Sequence, residues 1–136
     1  MSALAPGKVI QMSNRMYNLQ HFIFTPKYRK AFLADAQVAA ECERLLRRIC
    51  SLHQIEIVEL AIMPDHVHVF CEIPRRLSVA YSVQQMKRHT SYFLRKRFRA
   101  LRQEKAFWGV RYFHRSVGGD RAAVTRYIAN QIGDIR

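Results

Sequence analysis

Ile55-Glu56-Ile57-Val58-Glu59-Leu60-Ala61-Ile62-Met63-Pro64-Asp65-His66-Val67-His68-Val69-Phe70-Cys71-Glu72-Ile73 is the stretch whose reading decides the fold. Residues 55–62 and 66–73 are rich in β-branched and apolar types and have the length of strands. Met63-Pro64-Asp65 is the turn between them, and Pro74 ends the second run. Two strands joined by so short a turn make an antiparallel hairpin. Cys71 continues the apolar run and belongs to the core.

Upstream, Asp35 caps a helix expected to run to about Leu52. Val38, Cys42, Leu45, Leu46 and Ile49 keep the spacing of a one-sided helix. Residues 17–25 read as a first strand, broken by Pro26. Downstream, Ser78 caps a second helix to about Arg102, with Val79, Val83, Met86, Phe93, Leu94 and Leu101 facing inward. On it Arg88, Arg95, Arg99 and Arg102 fall roughly on one stripe. Residues 107–116 read as a fourth strand. Gly118-Gly119 is a break, and Asp120 caps a last helix over 121–132.

The first six elements spell β-α-β-β-α-β, an α+β ferredoxin-like (RRM-like) plan with an antiparallel sheet. The last helix is an addition to it. Residues 1–14 show little periodicity and are expected to form a flexible arm, with 15–136 as one domain. There is no internal repeat or low-complexity linker.

Composition narrows the function classes. The 136 residues suffice for one domain with its own core, and 49% are hydrophobic, against wholesale disorder. No apolar stretch has the length of a membrane span, and the first residues do not read as an export signal. The three cysteines, Cys42, Cys50 and Cys71, form no CxxC pair and suggest reduced thiols in the cytoplasm. None is assigned a catalytic role. Lys plus Arg is 23 against 10 Asp plus Glu, a net charge of +13. The pI is about 10.4. A basic excess of this size points to nucleic acid, the alternative being a solubilising surface.

Three groups of residues carry candidate chemistry. His66 and His68 are two apart on a strand, so both imidazoles project from one face. Together they are candidates to hold one divalent metal, the alternative being two satisfied surface histidines. No cysteine lies at ligand spacing, which disfavours zinc. Histidine with an amide or carboxylate suits magnesium or manganese in phosphoryl chemistry. Tyr127 and Gln131 are four apart on a helix and share a face. They offer a candidate nucleophile and a candidate third ligand, although a tyrosine in a terminal helix ordinarily packs against the core. Finally, basic and aromatic residues interleave at Lys27-Tyr28-Arg29, at Tyr92 to Arg97 and at Arg111 to Arg115. Such surfaces suit single-stranded or hairpin nucleic acid.

Met63-Pro64-Asp65-His66-Val67-His68 resembles the HUH motif of the single-tyrosine transposases of small insertion sequences, the TnpA-type family. Residues 21–29 resemble that family's first strand and basic exit, with Pro26 as a departure. Residues 85–91 resemble the start of its long helix, and 108–118 its last strand. Tyr127-Ile128-Ala129-Asn130-Gln131 resembles its nucleophile helix. The similarity spans roughly residues 17–132. HxH alone is weak, but with a terminal YxxxQ in a small basic chain it is specific.

The resemblance implies that Tyr127 attacks a phosphodiester of single-stranded DNA, forming a 5′-phosphotyrosine. It implies that His66, His68 and Gln131 hold magnesium or manganese. It also implies a homodimer in which the tyrosine helix completes the partner's site, with Gly118-Gly119 as the hinge; a simple turn there is the plainer reading. Lys27, Tyr28, Arg29, Lys87, Arg88 and Arg95 are the expected DNA contacts. No GxxxxGK[ST] loop is present, so no nucleotide cofactor is expected, and rejoining can draw on the covalent intermediate. The competing readings are a non-catalytic ferredoxin-like nucleic-acid-binding protein and a domesticated transposase or nickase acting on repeated palindromes.

Overall fold

The computed structural model of the chain describes residues 18–117 together with Arg126, Ala129 and Asn130. Strand β1 spans Leu19–Pro26, helix α1 Ala36–Leu52, β2 Glu56–Met63, β3 His66–Glu72, helix α2 Val79–Arg97 and β4 Trp108–Ser116. Short 3-10 turns lie at Lys27–Arg29, Phe32–Ala34 and Arg99–Leu101. The sheet is antiparallel, in the order β2-β3-β1-β4. This is the α+β ferredoxin-like arrangement, with the hairpin strand β3 brought beside β1 at the centre.

Local chemistry explains the helix starts. Asp35 accepts hydrogen bonds from the amides of Gln37 and Val38, and Ser78 accepts one from Tyr81. Each cap satisfies amides that the first turn leaves without partners. Val38, Cys42, Leu45, Leu46 and Ile49 of α1 are buried with Val83, Met86 and Leu94 of α2. They pack against Phe22, Phe24, Val67, Val69 and Cys71 from one face of the sheet. Glu41 of α1 ties the helices together, pairing with Arg44 at 2.6 Å and with Arg97 at 2.8 Å.

The second helix departs from expectation. It ends at Arg97, because Phe98 adopts extended backbone (φ −103°, ψ 113°). Phe98 packs on the core there, and a 3-10 turn carries Leu101 into the core. Arg99 and Arg102 therefore do not share a helix with Arg88 and Arg95. Phe93, expected inward, is 39% exposed and packs its ring beside His89. Pro26 ends β1 rather than following it. It lies past the last pair with β3 and at a bulge toward β4, positions where strands tolerate proline.

Trp108 fastens the start of β4 to α2. Its indole donates to Thr90 Oγ1 at 2.7 Å, and that hydroxyl donates to Met86 O at 2.7 Å. All three cysteines are buried. Burial pushes the Cys42 and Cys50 thiols up to about 12 and raises Cys71 as well. No described helix is long and apolar enough to cross a membrane. The expected arm over residues 1–14, the Gly118-Gly119 junction and the Asp120 cap lie outside the described residues.

Candidate active site

The turn at the tip of the β2–β3 hairpin is held from both sides. Pro64 O accepts the Leu33 amide at 3.1 Å. Asp65 receives Arg29 at 3.1 Å on one oxygen and meets His66 Nδ1 at 2.8 Å on the other. The His66 hydrogen bond, with Arg29 adding to it against a desolvation cost, holds the Asp65 carboxyl below the usual range.

Beyond the turn, register decides which side chains meet. His66 and His68 project from the sheet face opposite the helices, their ring centroids 4.9 Å apart. On β1, His21 lies opposite Phe70 and Ile23 opposite His68. His21 thus shares the histidine face and reaches His68 diagonally, its Nε2 lying 3.2 Å from His68 Nδ1. His21 is only 2% exposed. Burial, with His68 and Arg115 nearby, lowers its pKa to about 4. Burial, then His66, also lowers that of His68. Both rings are therefore neutral near neutral pH, the state in which an imidazole can ligate a metal.

Each candidate ligand has its Nδ1 occupied, His66 by Asp65 and His68 by His21, and no described hydrogen bond reaches either Nε2. An imidazole anchored through one nitrogen and open at the other is the usual form of a metal-bound histidine. The pair fits as two nitrogen ligands of a divalent ion. Among the described residues no group of three His, Cys, Asp or Glu completes such a set. Tyr127 and Gln131, the expected nucleophile and third ligand, lie outside the described residues. Arg126, Ala129 and Asn130 beside them are helical and exposed.

The expected DNA contacts fall into two clusters. Lys27, Tyr28 and Arg29 form the turn that leaves β1, and Arg29 reaches the Asp65 that anchors His66. Tyr28 and Arg29 hold positive φ of 61° and 55°, and Tyr28 is 79% exposed. Non-glycine residues in that region cost on the order of 1 kcal/mol or more each, a strain that clusters at working sites. Lys87, Arg88 and Arg95 line a groove of about 860 Å³ between α2 and the start of β4, with Tyr92 and Phe93. Arg88 is exposed. Lys87 donates to Gly109 O at 2.6 Å, and burial lowers its pKa. Arg95 donates to Ser91 O at 3.2 Å and to Glu104 O at 3.4 Å.

Residues 15–131 match the family model described as "Transposase IS200 like". The chain belongs to the IS200-like transposase family. Among its relatives, the transposase of insertion sequence IS200 from Salmonella typhimurium is 31% identical over 116 residues, covering 82% of this chain and 75% of the relative. The ISDra2 transposase TnpA of Deinococcus radiodurans is 28% identical over 124 residues, covering 85% and 86%. A solved structure of a candidate transposase from Deinococcus radiodurans superposes with a TM-score of 0.69 at 28% identity, covering 85% of this chain and 91% of that one. A REP-associated tyrosine transposase bound to a REP hairpin shares the fold, with a TM-score of 0.62 at 13% identity, covering 83% and 62%. Membership in this family makes nucleic-acid cleavage the class of chemistry to be explained.

Two contacts at this site are not legible in the sequence, that of His21 with His68 and that of Arg29 with Asp65. His21 lies within β1, and only the register of β1 against β3 reveals its neighbour. Asp65 sits beside His66, but its link to Arg29 spans 36 positions.

Proposed function

We propose that the protein cuts and rejoins single-stranded DNA at hairpin-bearing ends of an insertion sequence, using Tyr127 as nucleophile and a divalent metal, magnesium or manganese. The observation that carries this reading is the pair His66 and His68, both anchored at Nδ1 with Nε2 left open on one face. His66, His68 and Gln131 would hold the ion. When bound, it would polarise the scissile phosphate and stabilise charge on the leaving oxygen.

Tyr127 Oη forms a bond to phosphorus as the bond from phosphorus to the 3′ oxygen breaks. The phenol loses its proton, and the departing 3′ oxygen gains one. The products are a 5′-phosphotyrosine and a 3′-hydroxyl, and the reverse attack by a 3′-hydroxyl rejoins the strand. Lys27, Arg29 and Arg88, with Tyr28, supply cationic and stacking contacts to the strand. A hairpin bound by a protein of the same fold motivates hairpin DNA as the substrate form.

The active form in this reading is a homodimer in which Tyr127 of one chain serves the histidines of the other. The edge strand β4, with Val110 94% exposed and Tyr112 and Phe113 partly exposed, supports a second copy adding there.

The decisive experiment uses hairpin oligonucleotides and a denaturing gel. Wild type with manganese or magnesium should give a covalent protein–DNA adduct, and Tyr127→Phe should give none while still binding the hairpin. Wild-type-like cleavage by Tyr127→Phe would falsify the nucleophile assignment. Mixing Tyr127→Phe with His66→Ala should restore cleavage after subunit exchange. Failure, with exchange verified, would overturn the trans arrangement alone.

A further inference from the structure

We propose that His21 is a positioning residue for metal binding. It accepts the Nδ1 proton of His68 and so presents the Nε2 lone pair of His68 to the ion. This inference rests on the reading that His66 and His68 hold a metal.

The argument starts from the imidazole itself. A neutral ring carries one N–H and one lone pair. If Nε2 of His68 is to ligate, its proton must sit on Nδ1, and Nδ1 then needs an acceptor. The atom found there is Nε2 of His21, at 3.2 Å. The ring centroids lie 5.4 Å apart, close to the largest separation that a 3.2 Å contact between ring nitrogens allows, so the two nitrogens point at each other along the line of the rings, where N–H and lone pair lie. With Nε2 of His21 accepting, the proton of His21 itself is on Nδ1.

The surroundings hold His21 in place. Its ring lies 4.3 Å from that of Phe70 at an interplanar angle of 10°. Phe113 meets it edge-on at 6.1 Å. A ring that only filled this space would need no nitrogen. The same face shows the parallel device at His66, where a carboxylate takes Nδ1. Two ligands with two different Nδ1 partners are a consistent design: Asp65 on an exposed turn, His21 between packed strands.

The test compares His21→Phe, which keeps the stacking ring, with His21→Gln, whose amide oxygen can take the place of Nε2. Manganese affinity is measured on the full chain without DNA, by loss of the free-ion EPR signal, with His68→Ala alongside. His21→Phe should lose about 10- to 100-fold in affinity, the usual cost of removing such a partner, and His21→Gln should recover most of it. Nitrogen-15 NMR of the wild type should find the His68 proton on Nδ1 before any metal is added. Wild-type affinity in His21→Phe, together with loss in His68→Ala, would overturn the proposal and leave the metal reading standing. A proton on Nε2 of His68 in the wild type would overturn it too, even if His21→Phe fails to fold. Undiminished affinity in His68→Ala would bring down the metal reading itself, and this proposal with it.

Discussion

β1 and β3 present two faces of opposite chemistry from one backbone. The face under the helices carries Phe22, Phe24, Val67, Val69 and Cys71. The other carries His21, His66, His68 and Phe70. Both faces hold buried residues, since His21 is 2% exposed and Phe22 and Phe70 are 0% exposed. Burial therefore does not separate them. What differs is whether a neighbour constrains a side chain by volume or by hydrogen-bond direction. Under the helices, an apolar group of the right shape serves at most positions, the Thr90 hydroxyl under Trp108 being an exception. On the histidine face, the identity of each nitrogen matters.

The comparison is broken most severely by exchanging what each face loses. His68→Ala should reduce single-turnover cleavage by about a thousandfold or more, since the charge stabilisation lost is several kcal/mol. Its urea midpoint should fall much less than that of a core truncation, by no more than the loss of the His21 contact. Phe22→Ala should instead cost about 3–5 kcal/mol of stability by urea unfolding, because it opens a cavity in a packed core. If His68→Ala unfolded the protein as readily as Phe22→Ala, the division between the faces would fail.

A smaller effect sharpens the same lesson inside the core. Thr90→Val keeps the shape but strands the Trp108 indole N–H, which the Thr90 hydroxyl now accepts at 2.7 Å. A buried donor without a partner costs about 1–3 kcal/mol, readable as a lower urea midpoint. A neutral outcome would mean that volume alone governs this face.

The basic groove offers a finer distinction between neighbours. Arg88→Ala should lower the salt dependence of hairpin affinity by about one phosphate contact, as read from the slope of log affinity against log salt. Lys87→Ala should change that slope less, because Lys87 is already committed to Gly109 O. Equal slopes for the two variants would show that the Gly109 contact yields to DNA.

The smallest effect concerns Glu41, between the helices. The Arg44 hydrogen bond, opposed by burial and reinforced by Arg97, holds its carboxyl below the ordinary glutamate range. A carboxyl lowered by folding stabilises at pH above its unfolded value, and that contribution disappears as pH falls through its folded value. Tm should therefore drop more steeply below about pH 5 in the wild type than in Glu41→Gln. Parallel curves would remove Glu41 from the account of helix packing.

Much of this is legible in the amino-acid sequence alone. The caps at Asp35 and Ser78, the buried spacing of α1, the hairpin and the element order follow from neighbours within about four positions. The pairing of His66 with His68 follows from strand periodicity. The end of α2 was not legible, because Phe98 leaves the helix to pack on the core and no proline or glycine marks the place. Nor was the exposure of Phe93, which depends on how far α2 is rotated over the sheet.

The amino-acid order by itself determined which segments become helix or strand, and which residues alternate onto a common face. Those choices are local, set by side-chain period and by the satisfaction of nearby amides. Only the tertiary structure decided that His21 meets His68, 47 positions away, and that Arg29 meets Asp65, 36 positions away. The physical reason is register. A slip of one residue between β1 and β3 would turn His21 to the other face and leave every local preference unchanged. The core packing of both helices selects the register, and the register in turn supplies the partner for His68.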